Sequence, residues 1–414
     1  MNQHRVVITG IGLVNSLGRT LEDFGEALFD GQSCIGPLEG FDIPDDRYRL
    51  GGQIHDFDIA QDLPDVQAKR LYRYSQFALV AADRAIRDAG LSLQTLNRHR
   101  IGTSFGTAAG SLGEIADEVK RFIQRGSHAI GPNSWAETTW SACTAHIANH
   151  FDLWGPTSCQ SAGCVTGFDT IIWGVQQISE GLADVMVVGG TDTPFHPYSW
   201  SMMCRSGILA PVPDDGGNVP RPFSVDRNGL ALIEGAATIV LESEAHARLR
   251  GARIHGEYLA GVTVNSGTAE FDLERIRPVI VQVIQATLRE AGIPPTEIDW
   301  VNAHATGHPL GDRVESEAIE IALGPHAFCI PVSSIRGAVG QSFASGGGLQ
   351  AAASCLAIHR QQVPPTINFT APSEGCRLDY VPNKARFSRV RTVLMNSAGV
   401  GGIHSSLIIG TYQR

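Results

Sequence analysis

The sequence predicts an α/β protein made of two similar halves. Three observations carry that expectation. Short β-rich apolar runs alternate with longer helical segments along the chain, the pattern of sheets covered by helices. One unit, a strand followed by a small-residue turn and a helix rich in Ala and Ile, occurs twice, around GPTSCQSAGCVTGFDTI and around PVSSIRGAVGQSFASGGGL. Hydrophobic residues make up 43% and charged residues 18% of the 414 positions, which suits a large core and excludes a disordered chain. No long linker separates the halves, so we place them at residues 1–250 and 251–414, meeting near Arg250.

The elements follow in order. Val6–Thr9 reads as the first strand. Leu71–Ala89 reads as a helix with Tyr74, Phe77, Ala81 and Ile86 on one face. Ile101–Phe105 is a strand. A strand tip at Ser158–Gly163 feeds a helix from Val165, with an apolar stripe of Val165, Phe168, Ile171, Ile172, Val175 and Ile178. Asp184–Val188 and Ala237–Leu241 are strands of the first half. In the second half Pro278 interrupts the helical stretch Leu273–Ala291, which should kink there or start later. Asp299–Asn302 and Pro331–Ile335 are strands, Gly348–Arg360 a helix, and Val393–Asn396 a strand.

Several classes of protein are excluded. The 46 glycines show no three-residue period, so the chain is not a collagen-like fibre. No apolar run is long enough to span a bilayer. The chain enters its first strand almost at once with no signal peptide, so a cytoplasmic protein is expected. Lys+Arg is 32 and Asp+Glu 42, a net charge of −10 that argues against nucleic acid as a partner. The eight cysteines form no C-x-x-C pair, so reduced thiols are expected and no zinc site.

Cys164 is the candidate nucleophile. It stands where an extended stretch ends and an amphipathic helix begins. Free N–H groups and the positive helix end should face its sulfur and lower the thiol pKa. Gly163 and Gly167 should leave room for a bulky thioester. Cys159 competes for the role but lies within the extended run. His304, in VNAHATGHPLGD, follows an apolar strand, where α/β folds place functional groups. His304 and His308 could form a metal pair, but Pro309 and the lack of a spaced carboxylate argue against it. Gln341 sits between glycine-rich turns, and MNSAGVGGIH can offer backbone N–H groups to an oxyanion. One thiol, one imidazole and one amide on three loops suit acyl-thioester chemistry.

With these residues in place, the chain resembles the β-ketoacyl–acyl carrier protein synthases, in particular the long-chain fatty-acid type and the ketosynthases of type II polyketide systems. The motifs are GPTSCQSAGCVTG, GLADVMVVGGTDTP, RPFSVDRNGLALIEGAA, VNAHATG, GDRVESEAI, VPPTINF and LDYVP. The resemblance implies the thiolase fold, a duplicated five-layer α-β-α-β-α architecture, and a dimer. It implies Cys164 as acyl acceptor and His304 as first active-site histidine. The family's second histidine falls on Gln341, its lysine on Arg336 and that lysine's glutamate partner on Gln350. Thr306 matches a pantetheine-binding threonine; His308 replaces the next one. Val400, followed by Gly401, stands in place of the gating phenylalanine. Ala109 and Met203 fall near positions that shape the acyl pocket. The segment NSGTAEFDLER looks shorter than the family's pantetheine-side loop. Lys69 and Arg70 match positions that dock an acidic acyl carrier protein.

The resemblance further implies substrates carried on the carrier's phosphopantetheine, no cofactor or metal of the protein's own, no nucleic acid or membrane partner, and a homodimer or a heterodimer with a related ketosynthase. Three functions stay open. One is decarboxylative Claisen condensation on a malonyl thioester in fatty-acid or polyketide biosynthesis. Another is non-elongating acyl transfer. The third is a chain-length-setting partner subunit, which the retained Cys164 and His304 disfavour. A thiolase is disfavoured because GVGGIH lacks a second cysteine.

Overall fold

The computed structural model describes residues 5–214, 216–268 and 273–413. Its first half contributes strands β1 (Val6–Val14), β2 (Ile101–Gly106), β3 (Thr157–Gln160), β4 (Val185–Asp192) and β5 (Gly235–Ser243). The second contributes β6 (Gly256–Asn265), β7 (Trp300–Asn302), β8 (Val332–Ser333), β9 (Thr392–Gly399) and β10 (Ile403–Gly410). Among the described residues these ten form one sheet in the order β8-β7-β9-β10-β6-β1-β5-β4-β2-β3. Counted from the first strand of each half, both halves read 3-2-4-5-1. Strand directions repeat too: β2 runs parallel to β3 and β4, and β7 parallel to β8 and β9. The two halves join where Val6–Ile8 pair with Gly256–Tyr258.

The main helices are α1 (Arg73–Asp88), α2 (Leu112–Arg125), α3 (Ala142–Phe151), α4 (Thr166–Ser179), α5 (Pro197–Ser206), α6 (Leu273–Ala291), α7 (Pro309–Leu323) and α8 (Gly346–Arg360). Helices α1 and α3 cover the outer face of the first half, and α6 and α7 that of the second. Helices α4 and α8 pack on each other and on strands of both halves. Five layers result, α-β-α-β-α. Three apolar cores fill the spaces between them: Tyr74 and Phe77 lie in the first, Phe168 and Leu349 in the middle one, Ile284 and Val314 in the third. The middle layer is tight. A Cβ on Gly167 of α4 would stand 2.5 Å from the Ala344 carbonyl oxygen and 3.0 Å from Gly347 Cα of α8. Gly167 therefore serves helix crossing, not substrate access as the sequence suggested.

Other differences have local causes. β1 runs on to Val14, past the expected end at Thr9. Its glycines weaken the strand signal, yet a Cβ at Gly12 would lie 2.0 Å from the Ala81 oxygen of α1, so they admit the helix. β8 is shorter than Pro331–Ile335. Ser334 bends the chain away: its Oγ accepts the Arg336 N–H at 3.1 Å and donates to the Ala305 oxygen at 2.6 Å. α6 continues through Pro278, which sits near its start and removes one internal bond without ending the helix. β6 and β10 were not anticipated, because β10 carries His404, Ser405 and Ser406 buried in its interior.

Candidate active site

Cys164 lies in a 3-10 turn, Gly163–Val165, that leads directly into α4. Gly163 adopts φ +62°, which a glycine takes at little cost. Two bonds fix the turn: the Ala162 N–H donates to Thr166 Oγ1 at 2.9 Å, and the Ser397 hydroxyl of β9 donates to the Cys164 carbonyl at 3.1 Å. The thiol is buried and faces the Gln341 side chain and the Val400 N–H. Burial pushes it up to about 11; Gln341, the Arg336 charge and the Val400 N–H pull the other way. The expected low pKa is thus corrected: in the free protein the desolvated sulfur is a thiol. Cys159 has no part in the site; its thiol donates to the Trp140 oxygen at 3.0 Å.

His304 follows β7 in a loop held by two carboxylates of α7. Glu315 accepts the N–H groups of His304 and Ala305 at 2.8 and 2.7 Å, and Asp312 those of Thr306 and Gly307, both at 3.1 Å. Burial, Arg336 and His404 hold the His304 imidazole well below its ordinary pKa, so it is neutral. Its Nδ1 has no hydrogen-bond partner. Gln341 is pinned through its backbone: its N–H donates to the Ala231 oxygen at 2.8 Å and its carbonyl accepts from Ile233 at 3.0 Å. Its side-chain Oε1 is buried and unpartnered.

Behind these groups lies a buried polar link. Arg336 Nη2 donates to Gln350 Oε1 at 3.1 Å, and Gln350 Nε2 donates to the carbonyls of Asn302 and Asn396 at 3.1 and 3.0 Å. Arg336 is fully buried, which brings its guanidinium down to about 10. His308 caps α7 by accepting the Gly311 N–H on Nδ1 at 3.1 Å.

One mostly apolar cavity of about 410 Å³ joins the site. Cys164, His304, Gln341, Thr306, His308, Met203, Val400 and Gly401 all line it. Ala109 does not; its N–H donates at 2.7 Å to the buried Asp192, which also accepts the Ala344 N–H and so ties the two halves together. Lys69 and Arg70 are exposed on the turn Ala68–Arg70, outside the cavity wall. Val400 is 78% exposed. Residues 269–272 of the segment NSGTAEFDLER lie outside the described residues. Sequence reasoning missed His404 and Phe343, both on the cavity wall. The nearness of His404 to the GVGG turn was the available signal; Phe343 offered none.

A topology repeated in both halves, with a cysteine at a central helix start where they meet, defines a protein of the thiolase fold. Residues 3–247 match the β-ketoacyl synthase N-terminal domain and residues 258–370 its C-terminal domain. The chain belongs to the β-ketoacyl synthase family. It is 34% identical to 3-oxoacyl-[acyl-carrier-protein] synthase 2 of Synechocystis sp., covering 100% of this chain and 99% of that protein. It is 36% identical to the tetracenomycin polyketide synthase ketoacyl synthase alpha subunit of Streptomyces glaucescens, over 98% and 97% of the two chains. Among solved structures it is similar to the ishigamide ketosynthase/chain length factor, with TM-score 0.91 and 30% identity over 99% of this chain and 100% of that one. It is also similar to a type II polyketide synthase acyl-carrier protein in complex with its ketosynthase, with TM-score 0.90 and 28% identity over the whole of both chains. Among the described residues no helix is long and apolar enough to cross a membrane.

Proposed function

We propose that the protein is a carrier-protein-dependent ketosynthase of fatty-acid or polyketide biosynthesis, with Cys164, His304 and Gln341 as its catalytic residues. The observation that carries this reading is that all three line a single cavity. An acyl thioester of an acyl carrier protein passes its acyl group to Cys164, and the carrier thiol takes the proton. The Val400 N–H, beside the sulfur, holds the tetrahedral oxyanion, and the Gly401 turn shapes that loop. A malonyl thioester then enters along Thr306 and His308. Its thioester oxygen accepts hydrogen bonds from neutral His304 and from the Gln341 amide, and carbon dioxide leaves. The resulting carbanion attacks the acyl carbonyl on Cys164, and the sulfur departs as thiolate. Arg336, seated on Gln350, supplies the nearby positive charge.

In this reading the substrates ride on the carrier's phosphopantetheine, and the protein needs no metal or cofactor of its own. The carrier docks on Lys69 and Arg70. Residues 1–250 form the half with the nucleophile and residues 251–414 the half with His304 and Gln341, in a cytoplasmic protein. A second copy, or a related ketosynthase subunit, covers the edge of β3 and the exposed Val119, Phe122, Ile123 and Trp135. The similar carrier–ketosynthase complex and ketosynthase/chain length factor support both partners.

Incubation with an acyl carrier thioester tests the reading: intact mass should show one acyl adduct, absent in Cys164→Ala. An unchanged adduct in that variant refutes Cys164. Gln341 in place of a second imidazole, with Val400 turned outward, favours one other function, acyl transfer without elongation. With malonyl carrier present, a product two carbons longer supports condensation; transfer of the unextended chain supports the alternative.

A further inference from the structure

The cavity has two differently built sides. Met203, Ile208, Leu230 and Phe343 form one, and they pack together as a small apolar cluster under α5. The other lies against the outer helices, where Ile276, Ile280 and Val283 of α6 and Val314 of α7 form the wall. Its floor is the outer face of the sheet in the second half. Leu394 of β9 and Ile408 of β10 point into the α6–α7 core, so Ala398 and His404, four residues away in each strand, present the same face. Ala398 and His404 are also direct cross-strand neighbours.

His404 is the anomaly on this wall. It is 5% exposed, it lines the cavity, and neither ring nitrogen has a hydrogen-bond partner. Burial takes it down to about 4, so it is neutral and offers one donor and one acceptor. A buried polar group left unpaired is costly. A ligand oxygen delivered to it recovers that cost, whereas an alkyl chain does not. Sites built this way discriminate strongly against analogues that lack the oxygen.

We propose that the wing beneath α6 is a chain-binding subsite and that His404 makes it selective for acyl thioesters bearing a hydroxyl or keto oxygen on the chain. This rests on Cys164 being the acyl acceptor. The chain leaves Cys164 past the glycine-rich turn, its carbons meet Ile276, Ile280, Val283 and Val314, and its oxygen meets the imidazole. The Met203 side, which carries no comparable unpaired imidazole, holds saturated chains.

The test uses the full chain and pantetheine thioesters of equal length, one saturated and a series with a hydroxyl or keto oxygen at successive carbons. The rate of adduct formation on Cys164 is read by intact mass. Wild type is expected to load at least one oxygenated chain about tenfold or more faster than the saturated chain. In His404→Phe that ratio should fall to about one, and in His404→Gln, which keeps a donor and an acceptor, most of it should return. Equal rates for all chains in wild type, which needs no variant to fold, overturn the proposal. So does a preference that survives in His404→Phe. If wild type and Cys164→Ala both show no adduct with any chain, the Cys164 reading fails, and this proposal falls with it.

Discussion

Arg336→Met removes a buried cation from the site while roughly keeping its volume. Arg336 is wholly inside the protein, and its charge favours the Cys164 thiolate while opposing protonation of His304. Unit charges several ångströms apart at an effective dielectric of about 20 interact by roughly 2–4 kcal/mol. At 1.4 kcal/mol per decade, that is about a hundredfold change in thiolate population at fixed pH. With the wild-type thiol near 11, about one molecule in a hundred is thiolate at pH ~9. The assay is iodoacetamide alkylation of Cys164, followed by mass between pH ~7 and pH ~9, below the point at which Arg336, brought down to about 10, loses its own charge, with Cys164→Ala as background. Both profiles should climb about tenfold per pH unit, the Met variant lying about a hundredfold below wild type. Arg336→Lys keeps the cation and should stay within a few-fold of wild type. His304, watched by NMR, should move the opposite way and protonate more readily in the Met variant. Alkylation of Arg336→Met at the wild-type rate would refute the charge argument. A wild-type profile that levels off near neutrality would show that the helix end outweighs burial.

Gln341→Ala should slow malonyl decarboxylation by about a hundredfold or more while slowing Cys164 acylation far less, since it removes one of two donors to the enolate oxygen; equal slowing of both steps counts against that role. Burial raises Asp192 to about 6 from 3.8, so its contribution to stability is full below pH ~4 and is lost as pH rises through about 6. In urea titrations, wild type should therefore lose up to roughly 3 kcal/mol relative to Asp192→Asn across that window, and a constant difference would contradict the assignment. Ile123→Glu, on the exposed apolar face of α2, should convert a dimer to monomer in light scattering, and an unchanged mass would place the interface elsewhere.

How far the fold was legible depends on where each signal lives. The stripe of α4 and the face of α1 are local in sequence, and Tyr74, Phe77, Phe168 and Ile171 are all buried as their spacing demands. The common order of both halves rests on pairings between distant strands, which no local window contains. Cys164 and His304 could be singled out because one stands at a helix start and the other just past a strand end, and Gln341 because it lies between glycine-rich turns; the structure brings all three to one cavity. The electrostatics were not legible. A helix end lowering a thiol can be read from sequence, but the enclosure that raises it is made by β9, α8 and the 340s loop together. His404 stayed hidden for the same reason. Only the pairing of β9 with β10 and the cover of α6 make its imidazole buried and unpaired.

Arg336 and Gln350 act as one unit in physical terms. Gln350 uses its amide in two directions: Oε1 accepts from Arg336, and Nε2 donates to the carbonyls of Asn302, at the end of β7, and of Asn396, within β9. A carboxylate at 350 could accept from a cation but could not donate to two carbonyl oxygens. It would face them with negative charge, and the clamp between β7 and β9, the strands that lead to His304 and Val400, would be lost. With an amide there, residue 350 does not neutralise the cation at 336. Glu315 is the carboxylate that still faces Arg336, and it is already occupied with the N–H groups of His304 and Ala305. The positive field therefore stays directed at Cys164 and His304. A second imidazole at 341 would sit in that field and be held neutral too. An amide that never titrates serves as a donor there at any pH, so arginine, the 350 amide and the 341 amide form a mutually consistent set.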